Sequence, residues 1–145
     1  MTTAETPERA VRTEMELRVA FRDESGKLSQ ILKTLKQAGG QLYGHLVYRL
    51  EDETIGLFVC EKPEDAALAL GEQGLAPETE TVVLLHTENR PGALGHLVRA
   101  LEAERIGIGY SYATSTATEL YVVFRTDDNA KAEDVLRSYL LLTCS

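Results

Sequence analysis

The chain carries one supersecondary pattern twice, and that repeat constrains its fold more than any single motif does. Sliding residues 16–70 without a gap onto 82–136 places Gly26 on Gly92, Leu28 on Leu94, Leu35 on Leu101, Glu53 on Glu119, Phe58 on Phe124, Ala66 on Ala132 and Leu70 on Leu136. The identities are few, and the apolar pattern is the stronger sign. Leu28, Ile31, Leu32 and Leu35 overlay Leu94, Leu97, Val98 and Leu101, and both quartets keep the i, i+3, i+4, i+7 spacing of an amphipathic helix. Each helix follows a short apolar strand and a glycine-containing turn. Each precedes two alternating runs and a second short helix.

In the first copy the spacing predicts a strand at Leu17–Phe21, a turn at Arg22–Gly26 and a helix over 27–38, with Ser25 as its N-cap and Gly39-Gly40 as its stop. Strands 42–50 and 54–60 follow, joined at Glu51-Asp52-Glu53. Pro63 opens a helix through Leu70, closed by Gly71 and Gly74, and Leu75-Ala76 forms a brief closing strand. The second copy repeats the order as strand 82–87, helix 93–104, strands 106–115 and 119–126, helix 130–139 and strand 140–143. The expected class is α+β, two ferredoxin-like βαββαβ units in tandem, each an antiparallel sheet with its helices on one face. The expected boundaries are a flexible tail at 1–14, a first domain at 15–77 and a second at 80–145. A single unit of about 60 residues is marginal alone, because it buries only about 60% of its unfolded surface. The two are therefore expected side by side, sheets joined or abutting, with all four helices on one side.

Alternation assigns the sheet faces. Leu42, Gly44, Leu46 and Tyr48 are expected under the helices, with Gln41, Tyr43, His45, Val47 and Arg49 on the wetter side. In the second copy Ile106, Ile108, Tyr110 and Tyr112 take the helix side. The opposite side then carries Gly107, Gly109, Ser111, Ala113 and Ser115, a face stripped of bulk that another subunit would cover in a two-fold homodimer.

Composition removes several function classes. With 43% hydrophobic and 26% charged residues the 145-residue chain reads as globular, and no run approaches a membrane span. Met1–Glu14 lacks the apolar core of a secretory signal, and Cys60 and Cys144 form neither a disulfide framework nor a metal spacing, so a cytoplasmic setting is expected. A net charge of −8 disfavours nucleic acid. His45, His86 and His96 have no ligand spacing, so neither metal nor cofactor is expected, and His96 reads as solvated on its helix. Glu104-Arg105, Asp127-Asp128 and Glu51-Asp52-Glu53 read as solvated turns and helix ends. No nucleophile–base pair or phosphate loop is present, so the expectation is not an enzyme.

The most informative short stretch is His86-Thr87-Glu88-Asn89-Arg90-Pro91-Gly92-Ala93-Leu94, which joins a strand end to a helix start. Free N–H groups and a partial positive charge gather there and suit a carboxylate. The Asn89 amide both donates and accepts, so it suits a zwitterion. Ordinary turn chemistry, with Asn starting a turn, Pro setting φ and Gly closing it, explains the same residues.

Asn-x-Pro-Gly-x-Leu at a strand-to-helix turn within βαββαβ resembles the ACT domains, small regulatory modules many of which bind amino acids. The resemblance covers about residues 15–144. It is close in the second copy and looser in the first, where Asp23-Glu24-Ser25-Gly26-Lys27-Leu28 lacks the proline. The whole chain is similar to stand-alone tandem-ACT proteins without a catalytic domain. In serine-binding ACT domains the ligand is held by that Asn, a His two residues earlier and a second Asn entering the next strand. Here Asn89 is kept, Thr87 stands at the His position, and Gly107 and Gln41 stand at the second Asn position in the two copies.

The resemblance implies a regulatory protein that binds a small amino acid or related metabolite and acts through an enzyme partner or its own assembly. The implied contacts are Asn89, Pro91, Gly92, Ala93 and Leu94, with a carboxylate on the Gly92, Ala93 and Leu94 N–H groups. The matching first-copy loop offers Asp23, Ser25, Gly26, Lys27 and Leu28, and the strand starts Gln41, Gly107 and Ile108 would close each pocket from a neighbouring unit. Two alternatives stand beside this reading: a structural interaction module with no ligand, and a small hydrolase on the same topology.

Overall fold

A computed structural model describes residues 10–22 and 24–143. The chain divides into two compact units, Met15–Glu80 and a second formed by Thr81 onward together with the described residues before Met15. In the first unit β1 (Val11–Phe21, from Met15) pairs antiparallel with β3 (Glu53–Cys60), which pairs antiparallel with β2 (Leu42–Leu50). Helix α1 (Lys27–Thr34) finishes in a π turn at Leu35–Gly39, and α2 spans Pro63–Glu72. The second unit repeats this with β4 (Glu78–Glu88, from Thr81), β6 (Glu119–Thr126) and β5 (Ile108–Ser115) and with helices α3 (Ala93–Ala103) and α4 (Asn129–Thr143). The fold is α+β, as expected.

The two cores are built from equivalent positions. Ile31, Leu35, Ala66 and Leu70 come down from the helices of the first unit onto Leu17, Val19, Phe21, Phe58 and Cys60. In the second, Leu97, Leu101, Ala132, Leu136 and Leu140 meet Val83, Leu85, Leu120, Val122 and Phe124. Both helices of each unit therefore lie on one face of its strands.

The turns that open the helices repeat as well. Lys27 N–H donates to Glu24 O at 3.0 Å and Ala93 N–H to Arg90 O at 2.9 Å. Gly26 and Gly92 have φ/ψ of 84/−4° and 85/−3°. Both are type II turns, whose third residue needs positive φ and hence glycine. Ser25 is not the N-cap: Gly26 holds that place with no side-chain bond, because the turn hydrogen bond already organises the helix entry. Proline fits the second position of such a turn and stands there as Pro91. Ser25→Pro is expected to stabilise the protein by about 0.4–1 kcal/mol through the entropy of the unfolded chain. A lowered urea midpoint would show that the two turns differ.

Both copies also share a bulge, and it overturns the face assignments. The register shifts between Leu42 and Gly44 and, at the equivalent place, between Ile108 and Tyr110. An extra residue there reverses the alternation beyond it. Leu42 packs on the first core, but so does Val47, and His45 stacks over its partner Phe58 at 6.4 Å. Leu46 and Tyr48 pair with Leu57 and Ile55 on the other face. In the second unit Ser111 and Ala113 pair with the core residues Phe124 and Val122 on the helix side. Tyr110 and Tyr112 stack on each other on the opposite face, where Arg125 lies over the Tyr110 ring at 5.9 Å. The bulk-free face inferred from Gly107, Gly109, Ser111 and Ala113 does not exist as one surface.

Neither expected closing strand forms where the pattern placed it. Leu75 N–H donates to Leu70 O at 3.2 Å and its side chain packs on the first core, which spends Leu75-Ala76 on finishing α2. Residues 140–143 continue α4, since Leu140 lies four residues past Leu136 on the stripe begun by Ala132. Instead Glu78–Glu80, the opening of β4, are counted with the first unit, and the opening of β1 with the second, so each unit holds four strand segments. Of the expected tail, residues 11–14 belong to β1 and residues 1–9 lie outside the described residues. Ala10 and Val11 are buried in the second core, and Arg137 Nη2 donates to Val11 O at 3.2 Å. Asp127-Asp128 is more than a solvated turn. Asp128 Oδ1 accepts from Lys131 N–H at 3.1 Å, the contact of an N-cap for α4.

Candidate functional site

The loop between β4 and α3 is held from two sides. Its type II turn uses the Ala93 N–H internally, so that group is not available to a carboxylate as expected; helix geometry leaves the next N–H groups, of Leu94 and Gly95, facing outward. Asn89 ties the loop to the β5–β6 hairpin: its backbone N–H donates to Thr118 O at 2.9 Å and its Nδ2 to Thr116 O at 2.7 Å. Behind it, His86 stacks on Tyr121 at 4.1 Å and its Nε2 lies 2.6 Å from Glu119 Oε2. Asn89 is thus first a positioning residue for the loop.

A groove of 540 Å³ opens on the helix side of this loop. Thr87, Glu88, Arg90 and Pro91 form its loop wall, Ala93, His96 and Leu97 its α3 wall, and Tyr139, Leu140 and Thr143 its α4 wall. Leu97 and Leu140 are buried and make an apolar floor. Glu88 and Arg90 stand at the rim with Oε2 and Nη2 2.8 Å apart, both well exposed. The arrangement puts one charge of each sign above a greasy floor. That combination suits a small zwitterion carrying an apolar group.

Of the expected second-copy contacts, Pro91 and Ala93 line the groove, and Gly92 forms the turn beside them. Leu94 is exposed on the first turn of α3. Gly107 and Ile108 are not brought here within their own unit. Glu88 pairs with Glu119, whereas Ile108 pairs with Thr126 at the other end of β6. In the first unit Ser25, Gly26, Lys27 and Leu28 form the equivalent turn and helix start, and Leu28 packs on the first core. Gln41 lies at the far end of that sheet, since Leu42 pairs with Cys60 while Phe21 pairs with Thr54; its N–H donates to Glu61 Oε1 at 3.1 Å. Asp23 lies outside the described residues.

Sequence reasoning missed Glu88, Arg90, His96, Leu97, Tyr139, Leu140 and Thr143 as a set. The missing signal was the length of α4. Ending it at Tyr139 removes Leu140 and Thr143 from that wall, although the i, i+4 run Ala132, Leu136, Leu140 carries the helix onward. His96, read as merely solvated, is exposed yet stands on the α3 wall. Among the described residues, no group of three or more His, Cys, Asp or Glu side chains is placed to hold a metal. No described helix is long and apolar enough to cross a membrane.

Residues 12–142 match the family model of the ACT domain pair. The chain belongs to that family. Among solved structures this ACT pair is similar to protein BT0572 from Bacteroides thetaiotaomicron, with a TM-score of 0.79 at 24% identity over 90% of each chain. It is also similar to the ligand-free regulatory subunit of aspartate kinase from Thermus thermophilus, with a TM-score of 0.65 at 11% identity over 86% of this chain and 91% of that one. The regulatory subunit of aspartate kinase from Thermus flavus gives a TM-score of 0.56 at 10% identity over 89% and 95%. At these identities the likeness concerns the fold. No curated protein sequence matches the chain.

Proposed function

We propose that this ACT pair is a non-catalytic regulatory protein that binds an amino acid or related metabolite and passes its occupancy to an enzyme partner or to its own assembly. The observation that carries the reading is the groove, where a charged rim of both signs stands over an apolar floor beside a rigid type II turn. The membership in a family of paired regulatory modules and the regulatory subunits among its structural neighbours support it. Homodimerisation is part of this reading. Its support is the outer strand β5, where Gly107 to Thr118 contains no charged residue in a chain of net charge −8. Exposed strand edges ordinarily carry charge to prevent pairing, so a neutral edge favours association with a second copy.

The competing reading, a structural module with no ligand, draws on Asn89 and the Ala93 N–H, both engaged within the loop. A thermal-shift screen against the twenty amino acids decides between them. Ligand at 100 times its dissociation constant is expected to add about 2.7 kcal/mol to stability. If no amino acid shifts the transition at millimolar concentration, the structural-module reading takes over.

A further inference from the structure

The helices of the first unit sort their charges in a way that those of the second do not. Helix α1 and its π turn carry Lys27, Lys33 and Lys36 and no carboxylate, whereas α2 carries Glu64, Asp65 and Glu72 and no basic residue. At the equivalent places in the second unit the signs mix, with Arg99 and Glu102 on α3 and Lys131 and Asp134 on α4. Lys33, Lys36, Glu64, Asp65 and Glu72 are exposed, and among the described residues none of them is ion-paired. Helix polarity explains part of the pattern, since cations suit the end of α1 and anions the start of α2. It opposes Lys27, the first residue of α1, and Glu72, the last of α2. Nor does it explain Leu68, which is 68% exposed midway between Glu64 and Glu72 on the outer stripe of α2.

The two helices are neighbours and run antiparallel. Lys62 N–H, at the start of α2, donates to Gly39 O at 2.8 Å, and Gln73, just past its end, reaches back to Thr34. Their outer sides form one surface, positive along α1 and negative along α2, with Leu68 in the negative half. We infer that this surface binds the same surface of a second chain. A two-fold axis parallel to the helices lays α1 of each chain over α2 of the other, so the complementary contact is made twice. An axis across the helices would set like charge on like. In the complementary arrangement Lys33 and Lys36 stand near Glu72 of the other chain, because Thr34 and Gln73 are in contact within each, and Leu68 is covered from water. A partner of one sign would complement only half of the surface, whereas a second chain supplies both halves. Two short helices are a small interface, so association is expected at high micromolar concentration and not as an obligate dimer. The contact does not involve the β5 edge, and a chain that uses both forms a tetramer.

Sedimentation equilibrium of the full chain at high micromolar concentration tests this. Lys33→Glu with Lys36→Glu turns the whole surface net negative, and Glu64→Lys with Glu72→Lys turns it net positive. All four side chains are exposed, so the thermal transitions are expected to persist. Each double variant alone is expected to halve the mass found for the unaltered chain. An equimolar mixture of the two, whose surfaces are opposite in sign, is expected to regain that mass, as is one chain carrying all four substitutions. Leu68→Ser, which changes no charge, is expected to weaken the association at least ten-fold. An unaltered chain that is monomeric, variants that keep its association, or a mixture that stays at half mass would each overturn the inference.

Discussion

Phe58→Ala and Phe124→Ala are each expected to destabilise the protein by about 3–5 kcal/mol, the loss usual for a buried aromatic ring and the cavity it leaves. The two phenylalanines are equivalent in the repeat, fully buried, and placed on β3 and β6, the middle strands of the two three-stranded sets. Each ring lies on the helix side among residues of both helices of its unit. Their surroundings are not identical. A Cβ on Gly56 would stand 2.6 Å from the Phe58 ring, so that ring lies over its own strand and occupies space that the counterpart of Gly56, Val122, fills with a side chain. The losses are large beside a total stability of about 5–15 kcal/mol. Urea titration monitored by far-ultraviolet circular dichroism measures them, as a lowered midpoint at unchanged slope. A loss below about 1 kcal/mol at either position would show that its ring is not part of a packed core.

The repeat made the fold legible because its information lies in periodicity, which survives when identity does not. The helical quartets and the turn glycines Gly26 and Gly92 led to the four helices and six strands in their order, with the two closing strands misplaced, and β2 and β3 begin and end within a residue of expectation. Alternation failed at one kind of place, twice. A bulge adds a residue without altering composition, so Tyr43 and Gly109 read as ordinary strand residues while the chain beyond them changes face. That single physical event moved the tyrosines of β5 from the expected core to a half-buried ladder on the opposite face. It also moved Ser111 and Ala113 to the helix side.

The candidate site was half legible for a different reason. The loop announced itself through Asn89, Pro91 and Gly92, whose turn chemistry is local. The groove depends on which residues of α4 reach the loop, a tertiary matter that no local motif records. Asn89 illustrates the difference: its residue type suggested a ligand contact, and its surroundings give it a carbonyl on the next hairpin instead.

Leu140→Pro tests the element that carries the missing wall. If residues 140–143 formed a closing strand at the edge of a sheet, proline there would be tolerated, because edge positions need not donate to a ladder. In α4 the ring collides with the carbonyl of Leu136 and removes a helical donor, which together cost about 3 kcal/mol or more. Leu140 is also 4% exposed, so some loss comes from its side chain alone. Leu140→Ala supplies that part, and the proline variant is expected to fall at least about 3 kcal/mol below it. Leu142→Ala, two residues away and 79% exposed, is expected to stay within about 0.5 kcal/mol of the unaltered chain. Equal stability of the proline and alanine variants would return these residues to a strand or a loop. The same turn of α4 holds Tyr139 and Thr143 against the loop, and Thr143 Oγ1 is bonded back to Tyr139 O at 3.0 Å. Amino-acid binding is therefore expected to be lost in Leu140→Pro at temperatures where the rest of the fold persists, whereas Leu142→Ala keeps it.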